Sequence, residues 1–226
     1  MKKSRKILVI VLIAVLGAAG FLAAEPGNGT YFGPVLGLNF SSLIGDNSDA
    51  AEAYILGGGE KMTRTAFAAG AFAHFGFGGL LALESQILFS QKGGKYGDAI
   101  PAINDQIIYK MDYIEAPVLV RVYIPLLPVV KASAFGGGYA GYNIAAKYKY
   151  SETGYEEEGD IEVAFGQEIE DLDYGIVFGA GAALPLAGLL LRVDARYSMG
   201  LAKLVDFGVD DDVRNGVFAL LASIGL

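Results

Sequence analysis

Leu189–Met199 reads LLLRVDARYSM, and its residues fall into two rows. Leu189, Leu191, Val193, Ala195, Tyr197 and Met199 take one set of alternate positions, and Leu190, Arg192, Asp194, Arg196 and Ser198 take the other. Successive side chains of a strand point to opposite faces, so a period of two marks a β-strand with one apolar and one charged face. Which face is inside is decided by the strands that accompany it.

Seven further segments carry the same period. In FGPVLGLNFSS, Phe32, Leu36, Leu38 and Phe40 alternate with Gly33, Gly37, Asn39 and Ser41; in FAAGAFAHFGF, Phe67, Ala71 and Phe75 alternate with Gly70, Phe72 and His74. ALESQILFSQK sets Leu83, Ile87 and Phe89 against Glu84, Gln86, Ser90 and Lys92, and YIEAPVLVRVYI sets Ile114, Val118, Val120 and Val122 against Glu115, Leu119 and Arg121. From about Val129 to Tyr148, Ala132, Ala134, Ala140, Tyr142 and Ile144 oppose Lys131, Ser133, Gly137, Tyr139 and Asn143. LDYGIVFGAGAAL and the closing GVFALLASIGL complete the set. The apolar row carries no charge in any strand.

Connections alternate in length. Gly76–Gly79, Pro125–Pro128 and Pro185–Gly188 are short; 44–64, 93–107, 149–171 and 200–214 are long and polar. Eight dyad-periodic strands of about 11–13 residues, with turns short at one end and loops long at the other, predict an all-β, antiparallel, up-and-down transmembrane β-barrel. Its lipid-facing row is the apolar one, and closure leaves no unpaired edge in the bilayer. A soluble exported barrel that binds lipid inside shares the same alternation and is the alternative reading. Glycines interleaved with Glu, Arg, Lys and Asp on the polar row favour a narrow, filled lumen.

Composition is consistent with export to a membrane. Of 226 residues, 53% are hydrophobic and only 19% charged, and there is no cysteine, which excludes disulfides, thiolate metal sites and thiol catalysis. Lys2, Lys3, Arg5 and Lys6 precede the apolar run ILVIVLIAVLGAAGFL, and Ala23 and Ala24 follow. This predicts a signal peptide over residues 1–24 and a barrel domain over 25–226, in the outer membrane of a cell envelope. Loss of the leader removes four of the 17 basic residues and none of the 25 acidic ones, taking the net charge from −8 to −12. So acidic a chain has no basic patch for nucleic acid.

Several strands also resemble a known family. GLNFSSL (Gly37–Leu43), LESQILFSQKGGK (Leu83–Lys95), DYIEAPVLVRVYIP (Asp112–Pro125), YGIVFGAGAAL (Tyr174–Leu184) and ARYSMGL (Ala195–Leu201) are similar, in order, to the bacterial outer-membrane barrels described as porin family or PorT family. That family's P-E-L-x-Y-S-Q-K-G pattern is met here with Ser85, Gln86 and Phe89 at its Pro, Glu and Tyr positions. The chain also ends in Leu226 where many such barrels end in an aromatic residue. The resemblance implies an outer-membrane barrel and supplies no ligand.

An eight-stranded barrel is just wide enough for its own side chains to fill. The inward set Glu84, Gln86, Lys92, Glu115, Arg121, Lys131, Arg192, Asp194 and Arg196 therefore predicts an interlocked ion network, with Glu84 paired to a base such as Arg121. A narrow channel for ions or small solutes is the alternative. His74, the one histidine, is expected to be a lumen hydrogen-bonder: no G-x-S-x-G elbow accompanies it, so no catalytic residue and no cofactor are assigned. LGGGEK (Leu56–Lys61) and FGGGYAGY (Phe135–Tyr142) do not match a phosphate loop.

The loops carry the strongest charge. Lys147–Asp173 holds ten acidic and two basic residues, Glu156, Glu157, Glu158 and Asp160 among them, and Asp210, Asp211 and Asp212 follow in the last loop. These carboxylates could gather divalent cations or meet a surface ligand, though no EF-hand order is present. The expected protein is a monomer in outer-membrane lipid with a structural or surface-binding role.

Overall fold

Alternation in the sequence becomes alternation in burial. In a computed structural model that describes residues 28–45, 59–98, 106–124, 130–152, 154–161, 170–186, 189–204 and 213–226, Arg192, Asp194, Arg196 and Ser198 are buried while Val193, between two of them, is 57% exposed. Leu36, Phe67, Val120, Phe178 and Leu220 are likewise exposed, whereas Arg121, Glu84 and His74 are fully buried. Apolar side chains outside and charges inside is the arrangement a hydrocarbon surround stabilises and water would oppose. Among the described residues no helix is long and apolar enough to cross a membrane.

The strands are β1 (Thr30–Ile44), β2 (Gly59–Met62), β3 (Arg64–Phe77), β4 (Leu81–Lys92), β5 (Lys95–Asp98), β6 (Gln106–Ile124), β7 (Lys131–Glu152), β8 (Tyr155–Asp160), β9 (Leu172–Leu186), β10 (Leu189–Gly200) and β11 (Arg214–Gly225). Eight of them, β1, β3, β4, β6, β7, β9, β10 and β11, pair in antiparallel sequence around a circle. The first and last close it through Val35↔Ser223 to Ile44↔Arg214. Below that ladder, backbone bonds between Phe32 and Leu226 extend the seam to the end of the chain.

The turn between β3 and β4 is tight because Gly78 and Gly79 adopt φ of 62° and 83°, a region open to glycine. Pro125–Pro128 and Ala187–Gly188 lie outside the described residues, as do residues 1–24 with the expected signal peptide.

The long connections are not plain loops. Residues 44–64, 93–107 and 149–171, read from sequence as polar loops, contribute strands: β6 and β7 run on above the other strands, β5 and then β2 pair beside β6, and β8 pairs beside β7. The result above the rim is a small sheet in the order β2-β5-β6-β7-β8. A bulge makes this possible. Asp112 pairs with Ala145 but Tyr113 with Asn143, so Ile144 is the extra residue of β7. One extra residue flips the faces of a strand. Below it Ser133, Phe135 and Tyr139 point inward; above it the inward residue is Tyr148, and the lysines at 147 and 149 are turned out.

Candidate functional site: a closed polar lumen beneath an acidic rim

The lumen is filled in layers. At the end of the short turns, Tyr31, Phe72, Tyr123, Leu190 and Leu221 form an apolar floor. At the opposite end Leu43, Tyr96, Ile107, Tyr109, Met111, Tyr148, Ile161, Leu204 and Val213 form an apolar cap, drawn from the rim sheet and from residues flanking the loops. Leu204 and Val213 are joined by a backbone bond of 2.9 Å.

Between floor and cap lies an ion network. Arg192 holds Glu84 with both terminal nitrogens, NH1 to Oε2 at 2.6 Å and NH2 to Oε1 at 2.8 Å. β4 and β10 stand opposite one another in the ring, so this pair spans the lumen. Arg121 grips Asp194 in the same bidentate way, at 2.8 Å twice, donates to Ser133 Oγ at 2.8 Å, and places Nε 3.5 Å from Glu84. Arg192 Nε lies 2.9 Å from Asp194, tying the two pairs together. The planar faces of the guanidiniums are covered as well: Arg121 over the Phe135 ring at 4.3 Å and Arg192 over Phe72 at 4.6 Å. Gln86 donates to Glu84 Oε1 at 2.6 Å and accepts from Arg196 NH1 at 3.0 Å.

A second cluster sits nearer the cap. Lys92 Nζ pairs with Glu115 and with Asp173 Oδ2, the latter at 2.8 Å, and lies over the rings of Tyr139 and Tyr113 at 4.3 and 5.1 Å. Tyr139 donates to Asp173 Oδ1 at 3.0 Å, and Asn215 donates to Asp173 Oδ2 at 3.1 Å. Across both clusters Glu84, Glu115, Asp173 and Asp194 are interleaved with Lys92, Arg121, Arg192 and Arg196, and Arg64, buried as well, donates to the Lys92 carbonyl oxygen. Buried charges persist only when compensated in this way.

Of the inward set predicted from sequence, Glu84, Gln86, Lys92, Glu115, Arg121, Arg192, Asp194 and Arg196 are brought together. Lys131 is the exception: it is half-buried at the first residue of β7, opposite Ala183, because its strand begins there and places it below the network. Arg121 does reach Glu84, but Arg192 makes the stronger pair. Asp173 belongs to the lumen although its sequence neighbours group it with the acidic loop; the alternation of LDYGIVF was the signal for it. His74 is a hydrogen-bonder, with Nδ1 3.3 Å from Glu84 Oε2 and Nε2 3.5 Å from the Tyr123 hydroxyl.

Part of the acidic rim lies among the described residues. Glu156, Glu157, Glu158 and Asp160 lie on β8, where strand alternation divides them between two faces. Glu156 pairs with Lys149 at 3.0 Å and Glu158 with Lys110 at 3.2 Å; Glu157 on the other face accepts from the Tyr148 and Tyr155 hydroxyls at 2.9 Å each. Lys110 holds the Glu158 carboxyl below the usual carboxylate range, and Glu157 pushes the Tyr148 and Tyr155 phenols up. Among the described residues no group of three or more His, Asp or Glu side chains is arranged to hold a metal ion. Asp210, Asp211 and Asp212 lie outside the described residues.

Residues 25–206 match the model of the family described as outer membrane protein beta-barrel domain. The chain belongs to that family. It is a protein of the bacterial outer membrane. No curated protein sequence matches it. Solved structures of similar fold include the attachment invasion locus protein Ail of Yersinia pestis, 16% identical, TM-score 0.42, covering 88% of this chain and 99% of that one. OprG of Pseudomonas aeruginosa is 11% identical with TM-score 0.44, covering 89% and 97%. Neisserial surface protein A is 12% identical with TM-score 0.42, covering 87% and 99%.

Proposed function

We propose that this family member is a non-conducting, monomeric membrane anchor that presents an ordered acidic surface outside the cell, with residues 1–24 as its export signal. The observation that carries the reading is the closed lumen. Glu84 and Arg192 join opposite walls of the barrel, and apolar layers lie above and below them. An ion entering this path would have to displace bidentate pairs and then cross an apolar cap, each step costly in a low dielectric.

The reading assigns no catalysis. His74 is fully buried, flanked by the Tyr31 and Tyr123 rings at 6.0 and 5.8 Å, and its ring nitrogens meet Glu84 and Tyr123. What remains available to a partner is the rim, where Glu156 and Glu158 keep 66% and 48% of their side-chain surface exposed. Ail has been crystallised with a heparin analogue, sucrose octasulfate; the rim here has the opposite sign of charge from one that would attract a polysulfate. Single-channel recording of purified protein in planar bilayers tests the proposal. Flat traces are expected, and steady openings of one reproducible size would establish the narrow-channel reading instead.

A further inference from the structure

The rim sheet ends in a free edge. In the order β2-β5-β6-β7-β8, β8 pairs with β7 on one side, through Lys147↔Asp160 to Glu152↔Tyr155, and its other side has no strand partner among the described residues. Five of its six residues are exposed, Gly159 being the exception. Alternate residues of such a strand turn their backbone N–H and C=O groups outward, a template for one more strand.

The template is held in shape before anything binds. Tyr148 lies over Gly159, where a Cβ would meet its ring at 2.7 Å, and the same tyrosine donates to Glu157. On the other face the ion pairs of Glu156 with Lys149 and of Glu158 with Lys110 brace β8 against β7 and β6. Preorganisation of this kind lowers the ordering cost of adding a strand.

Charge states what the strand should be. On one face of the sheet Lys110 on β6 and Lys147 and Lys149 on β7 form basic rows, and Glu156, Glu158 and Asp160 on β8 form an acidic row at the edge. A strand added outside that edge complements the acidic row when its own facing row is basic. Edge strands are commonly guarded by charge against self-pairing, and an acidic row repels a second copy of itself. It does not repel a basic strand.

We propose that the outer edge of β8 docks an extended basic segment of another protein, which adds to the rim sheet with its Lys or Arg residues facing Glu156, Glu158 and Asp160. This rests on the outward placement of the rim in the function proposed above and names the partner chemistry of that surface. The backbone of the edge supplies binding and the acidic row supplies selection.

The test uses full-length protein in lipid nanodiscs and a fluorescent peptide alternating lysine and valine, read by anisotropy. Saturable binding is expected, weakened about tenfold or more when alternate peptide amides are N-methylated, and similarly by Glu156→Gln/Glu158→Gln/Asp160→Asn together, with the barrel still heat-modifiable on a gel. Equal binding of the N-methylated peptide would reduce the site to charge attraction and overturn the strand-addition proposal. So would no binding, equal binding of a glutamate–valine peptide, or self-association through β8 that the lysine peptide does not compete away. Placement is tested separately. Glu152→Cys, the only thiol in the chain, should react with an impermeant maleimide on intact cells; failure to label overturns the outward placement, while the nanodisc result still decides the edge.

Discussion

Glu84 shows what one residue contributes to this lumen. It is fully buried and meets Arg192, Arg121, Gln86 and His74, so its charge is shared among several donors. Removing one partner from a buried pair leaves the other charge uncompensated, which typically costs about 3–5 kcal/mol. Glu84→Gln should therefore lower stability by about that amount, and adding Arg192→Met should recover part of the loss, both read from urea unfolding in detergent micelles. A double variant no more stable than the single one would mean that Glu84 and Arg192 are not coupled. That Glu84 faces inward was legible from the alternation of ALESQILFSQK. Its principal partner was not, because Arg192 lies 108 residues away and only barrel closure sets β10 opposite β4.

At the scale of the element, glycines and the bulge decide what the strands can do. A Cβ on Gly70 would lie 2.0 Å from the Ile87 carbonyl oxygen of the neighbouring strand, so β3 and β4 approach there only because Gly70 has none. Gly70→Val should lower the yield of refolded barrel on a heat-modifiability gel, and an unchanged yield would show that the strands can separate freely. The β7–β8 hairpin carries a pH-sensitive ion pair at the rim. Glu158 has its carboxyl depressed by Lys110 in the folded hairpin, so the pairing stabilises above the carboxyl's ordinary value of 4.5 and is lost as pH falls through the lowered one. Amide exchange across 147–160 should accordingly quicken on acidification through that range while the amides of β10 stay protected. The sequence marked β7 as a strand and 149–171 as loop; it missed that inserting Ile144 turns Tyr148 inward and lets the strand continue as the wall of a cap. A period-two reading carries no provision for a one-residue slip.

The whole molecule keeps two populations of charge. Lumen pairs are enclosed by apolar floor and cap, whereas the rim pairs Lys110–Glu158 and Lys149–Glu156 stand in water. Salt screens exposed pairs strongly and buried ones little. Raising ionic strength toward molar should loosen the rim hairpin, seen as faster proteolysis near Gly154, without shifting the urea midpoint of the barrel. A midpoint that fell with salt would mean that the lumen network is open to solvent, against the non-conducting reading.

Below the bulge in β7, and Lys131 apart, the sequence by itself determined which residues face the lumen and which the outside of the barrel, because a strand has two faces and eight segments repeat the same division. It also determined the number of barrel strands and the end at which the long connections lie, since turn length and period are local properties. Tertiary structure decided which charges pair, since partners lie on strands brought together by closing the ring and not by adjacency in the chain. It alone decided that the connections build a capped sheet with an acidic edge at β8. That outcome depends on a bulge and on apolar residues such as Leu43, Ile161, Leu204 and Val213, far apart in sequence and joined only where the rim folds over the lumen.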